Sequence, residues 1–278
     1  MGGNAVKASR PVTYDEAWWT VKWIKAHILP YMNFSEEEMS ILGSYGKKPD
    51  GELYNDIDIA VQINRLEHFP NATQRLSALL QTMGYETKLN LGFGICSFGC
   101  PIKGDPKNDR IQVDFMLTYN LEWSNFIYHS PNFQKGESKY KGLYRNILLM
   151  ALITEPEKEI IKTTPDGGIE EIEVNILRYP RGVWRVRKNF MGKKGLVKNG
   201  KNVEGSERFV TDNPIEIIDM TVGNDYIPSD IDTFEKLWDI VMSSNFKWIN
   251  KREGIIKRFI ECLDEQKLTH PTEIKEFE

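Results

Sequence analysis

Cysteines, histidines and long apolar runs are scarce in this chain. Three cysteines, Cys96, Cys100 and Cys262, are an odd set in 278 residues. The pair at 96 and 100 has no second pair to close a zinc site, so core thiols in a reducing, cytoplasmic setting are expected. The four histidines, at 27, 68, 129 and 270, occur in unrelated contexts and are expected to be structural or on the surface. No apolar stretch approaches the roughly 20 residues that span a bilayer, so no membrane partner is expected. The start, Met1-Gly2-Gly3-Asn4-Ala5-Val6, lacks the apolar core of a signal peptide, and Val6 stands where a myristoylation motif wants Ser or Thr. No internal repeat or long low-complexity tract is visible.

The composition is that of an ordinary globular chain, and its length suffices for two domains, expected over 1–120 and 121–278. A capping box, Thr13 with Glu16, predicts a helix over 14–30 whose Trp18, Trp19, Ile24 and Ile28 pack on a sheet. Strands are expected near 39–43 and over 56–62, and a helix capped by Asn71 and running to about Met83, closed by Gly84. Residues 85–99 and 110–118 read as a hairpin. Beyond 120, helices are expected over 140–153 and within 231–266. The fold class is therefore α/β: a small mixed sheet with flanking helices, then a mainly helical domain with a basic β insertion over about 165–212.

The most informative stretch is Ile41-Leu42-Gly43-Ser44-Tyr45-Gly46 followed by Asn55-Asp56-Ile57-Asp58-Ile59. In a strand, residues i and i+2 share a face, so Asp56 and Asp58 project together while Ile57, Ile59 and Val61 pack behind them. Two carboxylates this close stay ionised only with a cation between them, and hard divalent ions prefer such oxygen ligands. A Gly-Ser turn beside them can offer N–H groups and a hydroxyl to a phosphate. A second alternating run, 111–117, puts Ile111, Val113, Phe115 and Leu117 on one face and leaves Asp114 as the lone charge on the other. Pairing of the two strands would give three carboxylates around two metals.

Gly43-Ser44, the Asp56-x-Asp58 pair and a later strand bearing Asp114 resemble the DNA polymerase β-like nucleotidyltransferase superfamily over residues 38–118. That superfamily includes CCA-adding enzymes, poly(A) polymerases, oligoadenylate synthetases and antibiotic nucleotidyltransferases. The resemblance implies transfer of a nucleoside monophosphate from an NTP, ATP or CTP, to an acceptor hydroxyl with release of pyrophosphate. It implies two Mg²⁺ or Mn²⁺ ions on Asp56 and Asp58, with Asp114 on the ion that activates the acceptor. It also implies that Gly43 and Ser44 meet the triphosphate, and that Lys139, Lys141 and Arg145 hold it from the second domain.

Charge is distributed unevenly. Over 178–208, ten lysines and arginines stand against Glu204 and Glu207, so this segment carries +8 in a chain of net −4. Such concentration suits a polyanion, and Arg185, Arg187, Lys188, Lys193 and Lys194 are the expected nucleic-acid contacts, with an RNA or tRNA 3′ end as the expected acceptor. A solvated hairpin paired with Glu170, Glu171 and Glu173 is the alternative reading of these charges. The Gly-Gly-x-x-Arg start of CCA-adding enzymes is missing. The 49–58 loop resembles that of antibiotic nucleotidyltransferases, whose acidic acceptor pocket the +8 insertion does not suggest. Nucleotidylation of a small molecule or a protein, and a catalytically silent binding module, remain open.

Overall fold

The first helix begins where the sequence supplies both halves of a cap. The Thr13 hydroxyl accepts from the Glu16 N–H at 3.2 Å, and the Glu16 carboxylate accepts from the Thr13 N–H at 3.0 Å. Helix α1 (Tyr14–Trp23) then runs through a π turn (Ile24–Ile28) into the short α2 (Leu29–Tyr31). The computed structural model describes residues 5–7, 9–48, 51–129, 138–192 and 195–277. Its architecture is mixed α/β, in two compact units spanning 1–135 and 136–278. Among the described residues, no helix is long and apolar enough to cross a membrane.

In the first unit, β1 (Met39–Ile41) and β2 (Asp56–Gln62) pair antiparallel, followed by α3 (Phe69–Thr82), β3 (Thr87–Asn90), β4 (Ile95–Pro101), β5 (Arg110–Thr118) and the short α4 (Leu121–Ser124). The sheet order is β1-β2-β5-β4-β3, and β2 lies parallel to β5 while the other pairs are antiparallel. A parallel pair needs a crossover, which α3 and the β3–β4 hairpin supply. Ile57, Ile59, Val61, Val113, Phe115 and Phe98 point to one face. There they join one buried core with Ala17, Val21, Ile24 and Ile28 of the first helix and with Phe69, Ala72, Leu76 and Leu80 of α3. The polar residues of β2 and β5 are thereby left on the other face.

Three local expectations change. Trp18 and Trp19 do not pack on the sheet; they are 36% and 49% exposed, because the buried stripe runs through Ala17, Val21, Ile24 and Ile28. Helix α3 starts at Phe69, with His68 rather than Asn71 in the cap position, since Pro70 suits a first turn. The stretch expected as one strand over 85–99 turns at 91–94, giving two strands, β3 and β4. The helical turns of 121–129 belong to the first unit, where the Ser40 hydroxyl donates to Asn125 at 2.7 Å.

The second unit contains α5 (Gly142–Thr154), the strands β6 (Glu159–Thr163), β7 (Ile169–Arg178), β8 (Gly182–Gly192), β9 (Gly195–Asn202) and β10 (Arg208–Thr211), then α6 (Pro214–Thr221), α7 (Phe234–Met242) and α8 (Arg252–Glu265). The strand order is β10-β8-β7-β6, with β9 also on β8. Helix α5 is apolar nearly all round and accordingly buried among α7, α8 and β7. The helical stretch expected within 231–266 is two helices, α7 and α8, whose Phe234 and Phe259 rings stack at 5.6 Å.

Candidate metal centre

Strand register builds the candidate site. In the parallel β2–β5 pair Asp58 lies opposite Asp114, and in the antiparallel β4–β5 pair Ser97 lies opposite Asp114. Asp56 lies opposite Gln112, one step along the same face. Carboxylate oxygens of Asp56, Asp58 and Asp114 consequently lie within 4.8 Å of one another. Asp114 is buried and is held by Gln112, whose amide N–H group donates to both of its oxygens at 3.0 Å. The other end of that amide accepts from the Ala5 N–H at 2.7 Å, which fixes the orientation of Gln112.

The cost of this arrangement shows in proton affinity. Burial, reinforced by the charges of Asp56 and Asp114, pushes the Asp58 carboxyl up to about 7. Burial also raises Asp114, and hydrogen bonds from Ser97 and Gln112 hold it back. Ionising Asp58 thus opposes folding. Its proton is kept in the folded chain and lost from the unfolded chain between about pH 4 and 7, so stability falls as pH rises across that window. In chelator the expected loss is up to about 4 kcal/mol, levelling off above pH 7. Thermal melts from pH 4 to 8 check this. Asp58→Asn should flatten the fall, and millimolar Mg²⁺ or Mn²⁺ should restore stability above pH 7 in the parent chain alone.

The turn after β1 is shaped to this cluster. The Leu42 N–H donates to the Asp58 carbonyl at 2.8 Å, continuing the β1–β2 pairing, and Gly43 then takes φ +65°. A Cβ at Gly43 would lie 2.3 Å from the Asp58 Oδ2. Both the conformation and the closeness of the carboxylate require glycine there. Ser44 follows on the exposed side of the turn, which the Lys47 N–H closes by donating to the Ser44 carbonyl at 3.0 Å. Gly43→Ala should leave a folded protein destabilised by about 1–3 kcal/mol. It should also displace Asp58 and lower any activity of the site by about 10²-fold. Melts and rates on the same preparation separate the two effects.

The donor set fits a hard divalent cation. Three carboxylates supply only oxygen ligands, and their mutual repulsion is what a dication removes. The Gly43 cradle leaves the face of Asp58 open at the turn, where a Cβ would close it.

The structure brings Gly43, Asp56, Asp58 and Asp114 together, with Ser44 next in the turn. Of the three residues expected in the second unit, two are engaged within that unit. Lys139 is ion-paired with Glu273 at 2.6 Å, and Lys141 is exposed just before α5. Arg145 is buried inside the unit, donating to the Ile231 carbonyl at 2.6 Å; burial lowers its guanidinium to about 10, so it serves packing rather than a surface phosphate.

Arg185 is likewise not a surface cation. Its side chain is 7% exposed and donates to the Glu159 carboxylate and the Glu157 carbonyl at 2.8 Å and to the Glu173 carboxylate at 3.2 Å. Arg187 pairs with Glu171 at 3.2 Å. Lys188 is half-buried, and burial with the nearby Arg258 charge lowers its ammonium. Lys193 and Lys194 lie outside the described residues. Three of the segment's ten cations, Arg185, Arg187 and Arg208, are therefore met by glutamates of β6 and β7.

Sequence reasoning missed Gln112 and Ser97. Gln112 was findable, two residues before Asp114 and on its face. Ser97 emerges only from the β4–β5 register. A cluster of three tyrosines beside the turn was also missed: Tyr14, Tyr45 and Tyr54 have ring centroids 5.5, 6.1 and 6.3 Å apart. No protein family matches the chain, and no characterised protein matches it closely enough to count as a relative.

Proposed function

We propose that the chain is a metal-dependent nucleotidyltransferase of the DNA polymerase β-like superfamily, transferring a nucleoside monophosphate from an NTP, ATP or CTP, to an acceptor hydroxyl. The carrying observation is the convergence of Asp56, Asp58 and Asp114 within 4.8 Å on two parallel strands beside the Gly43-Ser44 turn. Three carboxylates gathered this closely, one buried and two half-buried, have a poor structural rationale, since burial and mutual repulsion oppose the charges of Asp58 and Asp114. Two Mg²⁺ or Mn²⁺ ions, when bound, would activate the acceptor hydroxyl and neutralise charge on the phosphates.

The chain's own contribution is placement. Asp56 and Asp58 present oxygens from one strand, and Asp114 presents its own from the neighbouring strand with Gln112 locking its rotamer. Gly43 removes the Cβ that would collide with Asp58, so backbone and carboxylate can face one phosphate chain together. Ser44, exposed in the same turn, would offer its hydroxyl to a phosphate oxygen. Little covalent work falls to such a site, and orientation with charge neutralisation carries the rate.

The test is incorporation of each α-labelled NTP, with Mg²⁺ or Mn²⁺, into RNA, into protein and into small molecules. Label that disappears in the Asp56→Ala/Asp58→Ala variant supports the reading and identifies nucleotide and acceptor. No incorporation and no pyrophosphate release under any condition would contradict it.

A further inference from the structure

We propose that the acceptor is a single-stranded nucleic acid, held by an aromatic track that runs along α1 to the carboxylate cluster. The proposal rests on the transferase reading above and names its acceptor surface. The track replaces the basic β insertion, whose best-placed cation, Arg185, is buried among carboxylates.

The track begins at solvent. The exposed residues of α1 are Tyr14, Asp15, Trp18, Trp19 and Lys22, with no exposed aliphatic side chain among them. Tyr14 and Trp18 are four residues apart, so they lie on one face about 6 Å apart along the axis. Trp19 stands edge-on to Trp18, with ring centroids 4.7 Å apart. Tyr14 in turn meets Tyr45 at 5.5 Å and Tyr54 at 6.3 Å. Tyr45 directly follows Ser44, and Tyr54 is two residues before Asp56. The aromatic residues therefore extend from the open helix face through half-buried Tyr45, next to the Gly43-Ser44 turn, to Tyr54, which is buried just before the strand of Asp56 and Asp58.

Cations accompany the rings. The Lys22 ammonium lies 5.3 Å from the Trp18 ring centre, and that of half-buried Lys48, which also donates to the Leu53 carbonyl, lies 5.0 Å from Tyr54. The acidic residues of the first turn are already paired, Asp15 with Lys103 at 3.0 Å and Glu16 with Arg10 at 2.8 Å. Rings for bases with ammonium groups beside them for phosphates are the composition of a single-strand platform. Between Tyr14, Asp15, Lys48, Glu52 and Tyr54 lies a cavity of about 430 Å³, within the range of a ligand site and roomy enough for one nucleoside.

Anisotropy of a fluorescein-labelled 12-mer, as single-stranded RNA, single-stranded DNA and duplex, tests this in chelator without NTP. The parent chain and Asp58→Asn should both bind the single strands better than the duplex. Trp18→Ala should weaken binding by about 5- to 150-fold, the equivalent of one lost base stack. Trp18→Phe should retain most of the affinity and Trp18→Leu should not, since a base needs a π-face and a generic apolar contact does not. Unchanged melting temperatures would show that these surface variants fold.

Equal binding by Trp18→Ala and the parent, equal binding by the Leu and Phe variants, or no binding near 100 μM would overturn the proposal; non-specific sites already reach that range. The transfer assay separates the two readings. Metal-dependent NTP turnover without oligonucleotide binding removes this acceptor and leaves the transferase. Trp18-dependent binding without any turnover removes the transferase and, with it, the acceptor role of the track.

Discussion

Asp58→Asn is expected to abolish nucleotidyl transfer, lowering the rate by about 10³-fold or more, while leaving the chain folded and more stable than the parent in chelator above pH 7. The size follows from position. Asp58 is the middle carboxylate, paired across the strands with Asp114 and sharing a face with Asp56. Loss of one preorganised electrostatic contact costs about 10²–10³-fold, and loss of a ligand shared by two cations should reach the upper end or exceed it. The opposite signs for activity and stability are the diagnostic feature. Asn keeps the shape and removes the charge that burial and its two neighbours oppose, so the fold gains what the chemistry loses. A substitution that lowered both together would indicate general damage to the sheet. Rates with saturating Mn²⁺ and melts in chelator, on one preparation, decide between these outcomes.

Arg185→Ala is expected to destabilise the second unit by about 3 kcal/mol, whereas Arg187→Ala should change it by less than about 1 kcal/mol. Glu159 and Glu173 lie directly opposite each other on β6 and β7. Like charges so placed repel, and Arg185 donates to both while also satisfying the Glu157 carbonyl. Removing it leaves the repulsion and loses the packing of a buried side chain. The figure stays at the low end for a broken buried pair because Glu159, with a side chain 64% exposed, can be rehydrated. Arg187 is 45% exposed and its pair with Glu171 is screened. A melting-temperature difference of about 4–12 °C between the two variants is therefore expected. Equal melts would contradict the structural role of Arg185. Charge reversal at both positions, the natural test of a nucleic-acid surface, would report unfolding rather than lost binding.

The sheet and its carboxylates were legible in the sequence for a simple reason. Strand alternation over 56–62 and 110–118 is broken only by Ala60 and Met116, and period two alone places Asp56, Asp58 and Asp114 away from the isoleucines and valines. The close approach of Gly43 to Asp58 was not legible in detail, because it depends on how β1 ends. On α1 the buried stripe 17-21-24-28 was present at helical spacing, yet the bulk of Trp18 and Trp19 suggested core positions that the stripe excludes. In the basic insertion Arg185 and Arg187 pair with Glu173 and Glu171, two of the glutamates that the alternative reading named. Alternation correctly put Arg185 and Arg187 on one face, but whether that face meets water depends on Glu157 and Glu159, far back in the chain. Arg145 sits in a helix apolar on almost every side, so its burial follows from its neighbours rather than from its own charge.

Titration of Mn²⁺ into the parent chain and Asp58→Asn, followed by the electron paramagnetic resonance of the free ion in the presence of a non-hydrolysable NTP, most directly tests the central claim. Two ions bound per parent chain, with loss of both or a large drop in affinity in the variant, is the expected result. Binding that is absent at millimolar Mn²⁺, or identical in the two proteins, would contradict the assignment of Asp56, Asp58 and Asp114 as a metal centre.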